Sequence, residues 1–353
     1  MASTLSSTDI DFENFGHKVY LTVSQNNKNQ NFFLSPASIA LAMAMCAAGA
    51  QNETLNQMLH VLDVASIEQL AKTAEQIMRI FSIVDNDTQV KLKLANRLYG
   101  QKTYKLQKDY LSLVQSSFKA DIKLEDFEND STHVVKTING WVEEQTNSLI
   151  KNLLTPNDVK RDTRLIIVNC VYFKGTWMKQ FKEHLTNQNA DFHEANERGI
   201  PLDRVEQKLA SKPDLMKRVL NDEGITRKEL LLYLPKFKME AKFELNDVLI
   251  QLGMINAFDG SKADFTGMVS EQDDRSGLYI SRVIHKAFID VNELGSEAAA
   301  ATAVIMDRCC APRRQEKQPI EFKADRPFLF FIRESRQNIL LFSGKFASPP
   351  TAS

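Results

Sequence analysis

A chain of 353 residues with 44 Lys and Arg against 45 Asp and Glu, net charge −1, has no global electrostatic pull toward nucleic acid or a membrane surface. Apolar residues at 43% and charged residues at 25% describe an ordinary globular chain able to bury a large core. The six histidines share no metal-ligand spacing, and no G-x-S-x-G, H-E-x-x-H, Walker loop or paired C-x-x-C occurs, so neither an enzyme nor a cofactor is expected.

Residues 1–15 are polar and acidic, with no apolar core of signal-peptide length, and no later run approaches a membrane span, which predicts a cytoplasmic protein. Cys46 and Cys170 sit in apolar segments while Cys309 and Cys310 are adjacent; no spaced disulfide framework is visible, and reduced thiols are expected.

In chain order, Asp9 to Val23 carries apolar residues at helical spacing, and Asn31 to Ile39 reads as a short strand feeding a helix, with Ser35 as cap and Pro36 at the first position. By spacing alone Ser35 is a cap and Ser38 a surface hydroxyl. The helix from Ala37 to Ala48 is apolar nearly all round, as a buried core helix is. Helices follow over Thr54–Leu62 and Ile67–Ile83, then an alternating strand over Val90–Tyr99, then helices over Leu106–Phe118 and Val134–Ile150. Arg164 to Phe173 is a continuous apolar run of strand length, which predicts a strand buried on both faces at the centre of the main sheet. Asn169 within it needs buried partners, and His285, in the strand-like run from Ser281 to Val291, is a candidate; read alone, His285 is a satisfied core histidine. Leu230–Leu234 and the segment opening at Pro235 read as strands, and Leu245–Leu252 as a helix.

From Glu293 to Phe322 the chain runs some thirty residues without apolar periodicity between that strand and an apolar hairpin, Phe328 to Phe346. A connection that long calls for a functional or disordered explanation. Its first half is small: Gly295, Ser296, Glu297, Ala298, Ala299, Ala300 and Ala301. Nothing there is too large to slide between two strands. Its second half, Met306 to Lys317, is polar, basic and turn-rich, in the manner of a loop tip open to proteases.

Glu293, Gly295, Ser296, Glu297 and the alanine run resemble the hinge of the serpins, the suicide protease inhibitors, and Asp325-Arg326-Pro327-Phe328-Leu329-Phe330 and Leu341-Phe342-Ser343-Gly344-Lys345-Phe346 resemble that family's C-terminal signature. Ile138-Asn139-Gly140-Trp141-Val142 and Asp264-Phe265-Thr266-Gly267-Met268 are also similar to serpin segments, and the likeness runs from about residue 8 to 348. It is closest to the intracellular, ovalbumin-like branch. The resemblance implies an α+β serpin fold, a single domain over residues 1–353 with a large central β-sheet, helices and smaller sheets. It also implies the mechanism: a protease cuts the loop and is acylated, and the hinge then enters the main sheet as a new strand, distorting the enzyme. By resemblance Ser35, Ser38, Asn169 and His285 form a shutter in mid-sheet, and Trp177 stands at the top, where the hinge begins to enter.

The resemblance places the cleaved bond at Arg308-Cys309 or at Cys309-Cys310, with Asp307, Arg313 and Arg314 as further alternatives. Arginine before the bond suits trypsin-like serine proteases, with papain-like cysteine proteases as a second target class. No nucleic-acid or membrane partner is expected, and the molecule is expected to be a monomer. The departure from the family lies between His193 and Leu202, where several strands of the second sheet are missing. The hairpin has no polar face, so lost cover over half a dozen of its side chains would cost on the order of 10 kcal/mol. Either other residues pack there or the chain is an inactive form, cleaved as a plain substrate.

Overall fold

A computed structural model describes residues 12–85, 90–193, 202–212, 228–270, 277–293, 319–335 and 339–349. Gly295 to Ala301, Arg308, Cys309, Cys310 and the apolar residues from Leu215 to Leu220 lie outside the described residues.

The N-terminal helix α1 (Glu13–Asn26) leads to β1 (Phe32–Leu34) and α2 (Pro36–Ala47). All twelve residues of α2 are buried, as a helix rich in Ala and Met and apolar nearly all round requires. Ser35 caps it from extended backbone, its hydroxyl accepting from the N–H of Ser38 at 3.3 Å, with Pro36 at the first helical position. Then come α3 (Asn52–Leu62), α4 (Ile67–Asp85), β2 (Val90–Gln101), α5 (Lys108–Phe118), β3 (Asp121–Glu125) and α6 (Ser131–Gln145). The last helix stops five residues short of the expected Ile150. Asn147 and Ser148 take left-handed backbone, and the Thr146 hydroxyl accepts the N–H of Ile150 at 3.1 Å, turning the chain. Strand β3 was not legible in the sequence: its five residues are half-polar and it sits at a sheet edge.

The main sheet is five-stranded in the order β3-β2-β4-β7-β6, with β4 (Leu165–Gly175), β6 (Phe237–Glu244) and β7 (Ile280–Val291). Strand β4 lies in the middle, Leu165 to Tyr172 wholly buried, as its apolar run predicts. It pairs antiparallel with β2 and parallel with β7, from Leu165 opposite Ile280 to Phe173 opposite Ile289. One face of the sheet packs on the principal core around α1, α2 and α4. The other carries α6, through Val134, Ile138 and Val142 against Tyr99, Ile166, Val168 and Ile284. There the Arg97 guanidinium lies 4.2 Å from the Trp141 ring centroid.

A three-stranded sheet, β1-β10-β9, with β9 (Phe328–Glu334) and β10 (Ile339–Phe346), closes the principal core. Phe342 stacks on Phe33 at 4.9 Å and meets Phe173 of the main sheet at 5.2 Å. Gly344 is dictated by this packing, since a Cβ there would meet the Phe330 ring at 2.2 Å.

Among the described residues no strand lies between Gly175 and Leu230. The feared exposure of the hairpin is nevertheless avoided: β10 is fully buried and β9 half-buried throughout. The helix α7 (Leu202–Ser211) supplies cover, Leu209 packing on Leu340 with Leu329 and Phe331 beside it. Glu206 of α7 reaches further in, accepting from Tyr20 Oη at 2.9 Å and Ser24 Oγ at 2.5 Å and pairing with Lys345 Nζ at 3.3 Å. Phe192 adds an edge-on contact to Phe346 at 5.4 Å. Beyond α8 (Asn246–Leu252), the remaining elements are β5 (Leu230–Tyr233) and β8 (Ile320–Lys323), which pair parallel in a two-stranded sheet of their own. The long connection therefore ends earlier than expected, since Ile320 to Phe322 belong to a strand.

Candidate functional site: a buried polar cluster in mid-sheet and an anchored strand end

Asn169 on β4 and His285 on β7 stand opposite each other in the parallel seam, and Asn96 on β2 stands opposite Asn169 on its other side. A row of polar side chains thus crosses three central strands. Beneath it lies the N-terminus of α2. Ser35 N–H donates to His285 Nε2 at 3.2 Å, and the Ser35 hydroxyl donates to the Leu341 carbonyl of β10 at 2.7 Å. Ser38 Oγ lies 3.0 Å from Asn169 Oδ1, and Asn169 Nδ2 donates to the Ser38 carbonyl at 3.1 Å and to Asn96 Oδ1. Since Nε2 accepts, Nδ1 carries the imidazole proton and donates to Asn169 Oδ1. Ser35, Ser38, Asn169 and His285 are all buried, so Ser38 is no surface hydroxyl.

Among the described residues no formal charge joins this cluster. Lys242 and Lys286 belong to the opposite face, where Lys286 Nζ pairs with Glu240 at 2.5 Å and donates to the Lys151 carbonyl at 3.1 Å. Burial without a counter-charge pushes the His285 imidazole down to about 3, so it is neutral at physiological pH. Cys170, next along β4, is a free thiol pushed up by burial to about 12 and is inert.

The second part of the site lies eight residues further along the chain, just past the end of β7 and roughly 25 Å up the strand direction. Trp177 Nε1 donates to the Asn292 carbonyl at 2.8 Å, and Phe181, edge-on to Trp177 at 5.5 Å, donates its N–H to the Glu293 carbonyl at 3.1 Å. The Glu293 carboxylate is buried, paired with Lys236 Nζ at 2.8 Å and accepting from Thr186 Oγ1 at 2.8 Å. Hydrogen bonding from Lys236 holds it below the usual carboxylate range. The last described residue before the alanine-rich segment is therefore fixed through backbone and side chain.

The structure thus brings Ser35, Ser38, Asn169 and His285 together, and brings Trp177 and Glu293 together at the strand end. Asn96, Lys236 and Thr186 were missed. Asn96 had a signal: it continues the inward series Leu92, Leu94, Leu98 with an amide where an apolar residue is due. Lys236 and Thr186 sit in loops, and nothing in their spacing marks them.

The family model for serpins, serine protease inhibitors, matches residues 11–203 and 196–349. The chain belongs to the serpin family. The two matched stretches overlap at 196–203. Among curated relatives, this serpin is 34% identical over 378 residues to the leukocyte elastase inhibitor of Xenopus tropicalis, covering 95% of this chain and 97% of the relative. It is 33% identical over 380 residues to human Serpin B4, covering 92% and 95%. Its fold matches the native stressed conformation of Arabidopsis AtSerpin1 with a TM-score of 0.81 at 27% identity, covering 96% and 98%. Uncleaved ovalbumin matches at 0.81 and 25% identity, covering 98% and 100%. The relatives it resembles include a B-type serpin and ovalbumin. Among the described residues no helix is long and apolar enough to cross a membrane.

Proposed function

We propose that this serpin inhibits trypsin-like serine proteases in the cytoplasm as a suicide substrate, with Arg308-Cys309 as the bond attacked. The protease serine oxygen adds to the Arg308 carbonyl, the amide to Cys309 breaks with the departing nitrogen taking the serine proton, and an ester links the protease to Arg308. Freed from β8, the segment ahead of the ester enters the main sheet between β4 and β7.

The observation that carries this reading is the direct parallel pairing of β4 with β7, with Glu293 held at its end. That seam borders β7 directly, so a strand continuing from β7 can add there. Leu294 to Arg308 is fifteen residues, about 50 Å when extended, while the nine paired positions of the seam span about 30 Å. The segment is long enough to fill it. One lost β4–β7 ladder is replaced by two, a gain in backbone hydrogen bonds worth about 1 kcal/mol each. The residues that must pass first, Gly295, Ser296 and Ala298 to Ala301, are small. Asn169 and His285 act as the latch, since a strand between them separates the imidazole from the amide by roughly a further 4.8 Å.

Incubation with trypsin at near-equimolar ratio, followed by a denaturing gel and intact mass, tests the proposal. A complex that survives sodium dodecyl sulfate, with a released peptide starting at Cys309, is expected. A peptide starting at Cys310 moves the bond to Cys309-Cys310 and leaves the mechanism standing.

A second reading, a serpin cleaved as a plain substrate, has one observation in its favour: the lack of strands among the described residues between Gly175 and Leu230, consistent with an internal deletion near 193–202 in an otherwise single domain. Cleavage without a complex would establish that reading and remove inhibition for this chain.

A further inference from the structure

The sheet formed by β5 and β8 pairs Leu230 with Ile320, Leu231 with Glu321, Leu232 with Phe322 and Tyr233 with Lys323. Side chains alternate along each strand, so Leu230, Leu232, Ile320 and Phe322 share one face. They are 47%, 37%, 51% and 57% exposed. Four adjoining side chains so placed uncover on the order of 400 Å² of apolar surface, the size of the largest and often functional patch on a typical monomer. A two-stranded ribbon is also marginal in water without a third strand or a covering layer.

The two edges of the ribbon differ. Strand β8 carries Glu321 and Lys323, paired at 2.9 Å, with the ammonium 5.3 Å from the Tyr233 ring centroid. Charges of this kind guard an edge strand against pairing. Strand β5 is Leu-Leu-Leu-Tyr, carries no charge, and among the described residues has β8 as its sole strand neighbour.

We infer that the open edge of β5 pairs antiparallel with β5 of a second copy of this chain. A two-fold axis normal to the sheet makes a four-stranded sheet, past the three-strand threshold, and sets the two apolar quartets side by side on one face. Charge favours a second copy over a strongly acidic or basic partner: the patch is neutral, and a net charge of −1 leaves no repulsion between copies. The apolar area is about half the 800 Å² per partner of a standard interface, so the dimer is weak and reversible. Inhibition plays no part in this inference, which departs from the sequence expectation of a monomer.

Sedimentation velocity of the full chain across a dilution series is expected to show a reversible monomer–dimer equilibrium. Leu231→Lys sets a like-charged pair beside the two-fold axis and is expected to raise the dimer Kd at least about tenfold. Leu185→Lys, on an exposed side chain elsewhere, is expected to leave it unchanged. Hydrogen exchange on the unmodified protein provides a reading free of folding effects, with β5 amides expected to gain protection as concentration rises. A chain monomeric throughout, a dimer indifferent to Leu231→Lys, or β5 amides protected equally at every concentration would each overturn the inference. The last result would assign the edge to a segment of the same chain.

Discussion

His285 and Ser35, 250 positions apart, are joined by one bond from a backbone N–H to an imidazole nitrogen, and that bond sets the tautomer with which His285 addresses Asn169 across the β4–β7 seam. Replacing His285 by Ala strands the Ser35 N–H and removes a donor from Asn169 in a buried setting, besides leaving a cavity. A loss of roughly 3–5 kcal/mol is expected in urea denaturation. Ser38→Ala, which removes one hydroxyl while the Ser38 carbonyl keeps its bond to Asn169, should cost about 1 kcal/mol. Equal losses in the two variants would contradict a cluster centred on the imidazole.

The same imidazole gives the fold a pH dependence of defined sign. Its value falls from 6.5 in the unfolded chain to about 3 in the fold, so below 6.5 the unfolded state binds the extra proton. His285's contribution is constant above pH 6.5 and is lost progressively down to pH 3, at up to about 1.4 kcal/mol per pH unit. Denaturation midpoints measured between pH 7 and 4 should show this slope in the unmodified protein and a shallower one in His285→Gln.

Glu293 is buried while its partner Lys236 is half-exposed. Lys236→Met leaves the carboxylate with Thr186 alone and is expected to cost about 1–2 kcal/mol, discounted for the solvent reaching the ammonium. Glu293→Gln should cost less, and the double variant should fall short of the sum, because the two act on one contact. Additive losses in that cycle would show that the ion pair does not hold the strand end.

In the Lys345–Glu206 pair the lysine is buried and the glutamate largely so, so its halves depend on each other more strongly. Glu206→Leu leaves the Lys345 ammonium with Ser24 Oγ at 2.6 Å and the Phe32 ring, at a cost of roughly 3–5 kcal/mol. Adding Lys345→Met should recover most of it. A near-neutral Glu206→Leu would mean that α7 does not dock on β9 and β10 in solution.

The elements whose composition answers to one environment were the legible ones. The run Leu165-Ile166-Ile167-Val168 can only lie inside a sheet, and α2 can only lie inside a core. The polar cluster was half legible: Ser35 declares itself as a cap, and the need of a buried amide for partners made His285 a candidate for Asn169, but the burial of Ser38 and its place beside them came from the family likeness, because nothing local brings together residues more than a hundred positions apart. The docking of α7 was not legible at all. Leu202, Val205 and Leu209 fix a helix and an apolar stripe, but which surface the stripe covers is decided by the geometry of β9 and β10. Strand β3 and the Asn147–Ser148 turn were lost to local ambiguity, a short edge strand and two left-handed residues that propensity does not announce.

The pairing of Phe32–Leu34 with Ser343–Lys345 fixes when the molecule can be completed during its own synthesis. Strand β1 is made roughly 310 residues before its partner emerges. At the usual 5–20 residues per second the N-terminal segment waits on the order of tens of seconds with Phe32, Phe33 and the largely apolar α2 unpaired. Over that interval it is a client for chaperones, so the amount of active protein a cell obtains depends on ribosome speed and chaperone supply as well as on the stability of the finished fold.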